Sequence, residues 1–145
     1  MEGNLHPIIA TGGCLCGAVR YEIRGPLRPV VNCHCSQCRR TSGHFVAASG
    51  ARSGDLTLVS SDGLRWYESS PDARRGFCSV CGSSVFWEPI SGDETMIMAG
   101  TMDSPIGLET AAHIFVGDAG DYYDIPDDGL PRFSGGGHGV VVPEE

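Results

Sequence analysis

The 145-residue chain has no lysine, so all ten of its basic side chains are arginine. A glycine-rich phosphate loop closed by a lysine is thereby excluded. No run of about 18 apolar residues occurs, which excludes a membrane-spanning helix. The N-terminal Met1-Glu2-Gly3-Asn4 lacks the basic and apolar parts of a signal peptide, so a cytoplasmic protein is expected. Also missing are a sustained 3.6-residue apolar period, a heptad pattern and an internal repeat. No Ser/His/Asp arrangement can be drawn, and the acidic stretch 118–128 lacks EF-hand spacing and reads as a solvated loop. Positive charge is scarce beside negative, ten residues against eighteen, for a net charge of −8. Such a surface repels phosphate backbones and anionic lipid, so neither nucleic acid nor a membrane is an expected partner.

What is present points to a small mainly β protein. The length fits one domain. Alternating or β-rich runs at 18–23, 30–34, 45–48, 56–59, 64–68, 85–88, 96–99 and 113–116 are separated by turn signals such as Ser-Gly, Asp-Gly and Pro-Asp. Only 36–42 invites a helical turn. Residues 1–11 read as a lead-in, 12–133 as the body, and 134–145, with its Gly135-Gly136-Gly137 run, as a flexible tail. Trp66, Tyr67, Phe77, Phe86 and Trp87 are expected to build the core.

Seven cysteines are the strongest signal. An odd count without a secretory signal argues against a complete disulfide framework and for metal ligation. They fall into three groups: Cys14 and Cys16; Cys33, Cys35 and Cys38; Cys78 and Cys81. Residues i and i+2 of an extended strand face one side, so Cys14 with Cys16, and Cys33 with Cys35, can each turn two sulfurs to one metal. Cys78-Ser79-Val80-Cys81-Gly82 has the form of a zinc knuckle. Joining the first pair to the last makes a four-sulfur tetrahedron and leaves Cys33, Cys35 and Cys38 as a three-sulfur site with an open position. The competing pairing joins Cys35 and Cys38 to Cys78 and Cys81 as a single zinc ribbon. His34, alternating with two cysteines, should point away from their metal. His44 and His113 read as core histidines, although either could close the three-sulfur site. His6 and His138 fall in the tails with no chemistry expected of them.

Three segments resemble the glutathione-dependent formaldehyde-activating enzyme family, which includes centromere protein V. They are Gly13-Cys14-Leu15-Cys16-Gly17-Ala18-Val19-Arg20-Tyr21, the stretch from Cys33 through Cys38 to Arg39-Arg40-Thr41-Ser42-Gly43, and Arg75-Gly76-Phe77-Cys78-Ser79-Val80-Cys81-Gly82-Ser83. The resemblance implies a compact, zinc-stabilised β-tent fold holding two zinc ions per chain. It implies a structural zinc on Cys14, Cys16, Cys78 and Cys81, and a second, functional zinc on Cys33, Cys35 and Cys38. The implied activity is carbon–sulfur lyase chemistry, written in the forming direction as glutathione plus formaldehyde giving S-hydroxymethylglutathione. Arg39 and Arg40, directly after the third cysteine of that site, are the expected partners of a glutathione carboxylate. The rival expectations are a non-catalytic zinc module and a glutathione carrier without turnover. The sequence carries no signal for oligomeric state.

Overall fold

The computed structural model describes residues 6–144. Residues 1–5 of the expected lead-in and residue 145 of the expected tail lie outside the described residues. In chain order the strands are β1 (Ala10–Gly13), β2 (Arg20–Ile23), β3 (Val30–Cys33), β4 (Val46–Arg52) and β5 (Leu56–Ser60), with the helix α1 (Ser36–Ser42) between β3 and β4. They continue as β6 (Leu64–Ser70), β7 (Ala73–Cys78), β8 (Ser84–Pro89), β9 (Glu94–Met98) and β10 (Thr110–Ile114). The fold is mainly β, as expected. Two strands go beyond the sequence reading. β1 begins at the end of the lead-in, and β7 carries an Arg74-Arg75-Gly76 centre that shows no apolar alternation.

Strands β1, β2 and β5 form a small sheet in that order, and the other seven form a large sheet ordered β10-β3-β4-β9-β8-β7-β6. All neighbours are antiparallel except β10 and β3. Because side chains alternate across a strand, the large sheet has two differently used faces. One face packs against the small sheet. There Ala51, Phe86 and Ile97 meet Val19, Tyr21 and Ile23, with the Tyr21 and Phe86 rings 5.4 Å apart. Fully burying a side chain such as Phe86 or Ile97 contributes about 1.5–3 kcal/mol each. Trp66 stacks on Phe86 at 6.0 Å from the same side, whereas Tyr67, one residue on, points the other way and is exposed. Tyr67 is therefore no core residue.

The other face carries a second apolar cluster of Val46, Ala48 and Met98 with Met96 and Trp87 against it. Register explains the grouping: Ala48 lies opposite Met98, Gly50 opposite Met96, and Trp87 opposite Met96 from the far side. Cys33, Cys35 and Cys38 belong to this cluster, so the fold separates the cysteine groups onto opposite faces of one sheet. Among the described residues no helix is long and apolar enough to cross a membrane.

Candidate metal sites and the cleft beside them

The first cysteine set is assembled from the two ends of the core. After β1 the chain turns rather than running on as a strand, and Cys14 N–H donates to the Val19 carbonyl at 3.0 Å. Cys14 is buried and Leu15 fully outward, yet the Cys14 and Cys16 sulfurs still converge to 3.7 Å. Across the core, β7 ends on the fully buried Cys78, whose N–H donates to the Ser83 carbonyl while Gly82 N–H donates back to the Cys78 carbonyl. Gly82 sits at φ 82°, a left-handed conformation that costs glycine nothing and lets this turn close tightly. Cys16 and Cys78 sulfurs lie 3.8 Å apart, and Leu15 N–H donates to the Ser83 hydroxyl, clamping the halves together. The sulfurs of Cys14, Cys16, Cys78 and Cys81 all lie within 4.8 Å of one another. All seven cysteines are free thiols.

Ionisation is favoured at Cys81 and Cys14 of this set but not at Cys16, which is raised to about 11. The Ser83 hydroxyl at 3.2 Å, then the Ser83 amide, pull Cys81 down to about 5. Burial opposes ionisation of Cys14, but the Val19 amide, 3.2 Å from Sγ, and the Cys78 and Cys16 thiols more than offset it and leave Cys14 lowered.

The second set is local. β3 ends on Cys33, and Cys35 caps α1, its sulfur accepting from Cys38 N–H at 3.4 Å where an N-cap oxygen usually sits. One helical turn then returns Cys38 to its neighbours. Ser42 donates to the Cys38 carbonyl and Gly43, left-handed at φ 87°, ends the helix with its N–H on the Arg39 carbonyl. The three sulfurs lie within 4.8 Å of one another, and no histidine, aspartate or glutamate joins them among the described residues. Cys33 first, then Cys38, push Cys35 well below the ordinary thiol range, while the Cys33 thiol is held up. The structure thus brings together the two groupings of the tetrahedron-plus-three pairing and does not bring Cys35 and Cys38 to Cys78 and Cys81.

Neither His44 nor His113 reaches the three-sulfur set. His34 is turned away from it, on the opposite side of β3, and is completely buried. Its Nδ1 lies 2.7 Å from the Tyr123 hydroxyl, its Nε2 lies 3.0 Å from His113 Nδ1, and His113 Nε2 lies 2.8 Å from Asp128 Oδ2. Burial, followed by His113, His44 and Arg132, pushes His34 down to about 4, so it is neutral near pH 7. One assignment of the ring protons has Tyr123 donating to His34, His34 to His113, and His113 to Asp128. Every ring nitrogen is then satisfied. The Asp128 end of this chain lies in the acidic stretch read as mere loop; only its proximity in the fold could reveal it.

Cys33, Cys35 and Cys38 form part of the wall of a cleft of about 660 Å³ on the outer face of the large sheet. Arg39 and Arg40, in the last turn of α1, do not line it; Arg28, Arg75 and His138 do. Arg75 comes from the unforeseen strand β7, with Nη2 3.7 Å from Cys38 Sγ and 3.4 Å from Gln37 Oε1 and with Nε buried and unpartnered. Arg28 is buried and spends Nη2 on the Ala48 carbonyl at 2.7 Å and Nε on the Pro29 carbonyl. His138, assigned no role from sequence, is lowered by burial and by Arg28, and its Nδ1 accepts from Val140 N–H at 2.9 Å.

With this geometry in hand, three comparisons bear on function. Residues 9–118 match the model of a family described as glutathione-dependent formaldehyde-activating enzyme. A Halomonas elongata protein, provisionally named a glutathione-dependent formaldehyde-activating enzyme, is 32% identical over 92 residues, covering 54% of this chain. The chain spans about half the length of that relative, 55%. A crystal structure of a Rhodobacter sphaeroides protein superposes with a TM-score of 0.55 at 29% identity, covering 69% of this chain and 97% of that one.

Proposed function

Because the chain belongs to the glutathione-dependent formaldehyde-activating enzyme family, we propose that it is a zinc enzyme joining a small thiol to an aldehyde carbon, or cleaving that adduct. The observation that carries this is the three-sulfur set, with no fourth histidine, cysteine or carboxylate donor among the described residues, set in the wall of a cleft. A closed four-donor site could offer a substrate nothing.

The sulfurs fit zinc. Four ligands at about 2.3 Å on a tetrahedron lie about 3.8 Å apart, and the 3.7 and 3.8 Å separations of Cys14, Cys16 and Cys78 match that edge. Amide donors on Cys14 and Cys35 favour the thiolate state a zinc ligand needs. We assign Cys14, Cys16, Cys78 and Cys81 to a structural zinc and Cys33, Cys35 and Cys38 to a functional one. Bound there, zinc supplies the Lewis acidity that keeps an incoming thiol ionised near pH 7, where a free thiol with pKa about 8.5 is mostly protonated.

The protein's own groups do the rest. The cleft holds thiol and aldehyde together, which converts their encounter into a local step. Arg75, beside Cys38 and with a donor to spare, is placed to hold a carboxylate of the thiol. In the forming direction the sulfur adds to the carbonyl carbon, the C=O π pair moves to oxygen, and the thiol's proton ends on that oxygen, so nothing else is consumed. The family description and the name of the Halomonas elongata relative make glutathione and formaldehyde the first pair to test. X-ray absorption on the zinc-loaded protein should show the mean sulfur count per zinc rise when glutathione is added, and exchange NMR should show faster adduct formation. Glutathione that binds without changing the sulfur count would overturn the proposal.

A further inference from the structure

Resting on that thiol assignment, we propose that the cleft takes a thiol adduct bearing a bulky apolar substituent, an alkyl chain or an aromatic ring, in place of a one-carbon group. The floor is made by alternate residues of four adjacent strands: Val31 on β3, Val46 and Ala48 on β4, Met96 and Met98 on β9, and Trp87 on β8. The three sulfurs pack directly against this apolar cluster, so whatever is attached to a bound sulfur meets hydrocarbon first. Methionine pairs of this kind adapt their shape to the apolar group that lies on them.

Three charged side chains line the cleft, Arg28, Arg75 and Asp118. Arg75 stands beside the sulfurs on β7, whereas Arg28, ahead of β3, holds its Nη2 on the carbonyl of Ala48. Two of the Arg28 nitrogens are already committed to backbone carbonyls, which leaves Arg75 as the better anion partner. The anionic part of the thiol and its sulfur therefore lie by Arg75, and the floor side chains of β3, β4, β9 and β8 that the substituent meets are apolar. Phe115, from the turn after β10, and Gly136, where an added Cβ would meet the Phe115 ring, also line the cleft.

The test is isothermal titration of the zinc-loaded full chain with glutathione, S-methylglutathione, S-hexylglutathione and hexanethiol, the last supplying an apolar thiol without glutathione. A buried methylene is worth about fourfold in affinity, so about five more set a ceiling near 10³ for hexyl over methyl. We expect at least about tenfold. Ala48→Leu, filling the floor, should weaken S-hexylglutathione at least about fivefold and leave S-methylglutathione within about twofold, which also certifies the fold. Met96→Ala, which cannot overfill the site, should erode the hexyl advantage in the same way. S-methylglutathione binding as tightly as S-hexylglutathione would overturn the apolar assignment and leave the thiol reading standing. Tight hexanethiol with no glutathione compound bound would support the apolar cleft and remove glutathione from the proposed function; no binding by any of the four would overturn both.

Discussion

Replacing one sulfur from each set separates the two sites most sharply. Cys81→Ser weakens a site that ties Cys16 to Cys78 across 62 positions, and with them the small sheet to the large one. Cys35→Ser weakens a site whose sulfurs come from six consecutive residues, Cys33 to Cys38. Closing a loop costs about (3/2)RT ln n, so relative to a five-residue span the 62-residue crosslink restrains the unfolded chain by about 2 kcal/mol more. That is a floor. Cys78 is fully buried in the main core, so a loosened site also disturbs its packing with Val19 and Val85. A structural zinc can contribute on the order of 10–16 kcal/mol of apparent binding free energy against a net domain stability of about 5–15 kcal/mol. At roughly 2–4 °C per kcal/mol for a chain of this size, Cys81→Ser should melt at least about 4–8 °C below Cys35→Ser, or fail to fold. Calorimetric melting under reducing, zinc-replete conditions, with metal counts on the same samples, gives the answer. Equal melting temperatures for the two variants, each having lost about one zinc, would refute the division into structural and functional sites.

Other consequences can be measured separately. Metal analysis of protein prepared in reducing, zinc-replete buffer should find about two zinc ions per chain, and a value that stays near one would contradict the two-site assignment. Burial raises Tyr21 to about 12, outweighing its 2.8 Å contact with Thr101, so the folded state favours the neutral phenol. The associated stability is fully present below the unfolded value of about 10 and is lost between pH 10 and 12, about 2–3 kcal/mol in all; Tyr21→Phe should flatten that limb of the pH–stability curve. Tyr123→Phe leaves the buried His34 Nδ1 without its hydrogen-bond partner and should cost about 1–3 kcal/mol by urea unfolding. Hydrogen exchange should also quicken in 119–133, and unchanged exchange there would show that the contact holds nothing in place.

Legibility differed by kind of information. The sulfurs proposed as metal ligands are legible because chelation favours short spacings along the chain, and the fold gathers the three sequence groups into two sets, with Cys33, Cys35 and Cys38 staying together. The placement of α1 was legible for a related reason: Ser36 to Ser42 is bracketed by the capping Cys35 and by Gly43. Strand β7 was not, because Arg74 and Arg75 have partners only in the finished sheet. Arg74 pairs with Glu88 and lies 3.9 Å from the centre of the Trp66 ring, and Gly76 is small because Trp66 covers it. The cleft was least legible of all. Its floor takes alternate residues from separate strands, so no window of sequence shows it, and Arg75 was within view only as a flank of the Cys78 motif.

The C-terminal segment, read from the sequence as a tail apart from the body, reaches the cleft at His138. The family match ends at residue 118, but the chain beyond it carries the donor to His34 in Tyr123 and the acceptor for His113 in Asp128. It then runs back along β10, where His113 N–H donates to the Pro131 carbonyl and Phe133 N–H returns to the His113 carbonyl. Phe115 N–H donates to the Gly135 carbonyl, and Phe115 itself stands at φ 52°, a left-handed conformation that disfavours a bulky side chain. Such a residue persists where its surroundings over-determine it. Here those surroundings include Gly136, where an added Cβ would come within 2.9 Å of the Phe115 ring. The same segment brings His138 to the cleft and buries Val142. The sulfurs come from the region matched by the family and one wall of the cleft comes from the region beyond it. The apolar floor comes from the matched region too, so of the residues that line the cleft only Gly136 and His138 belong to the chain beyond residue 118.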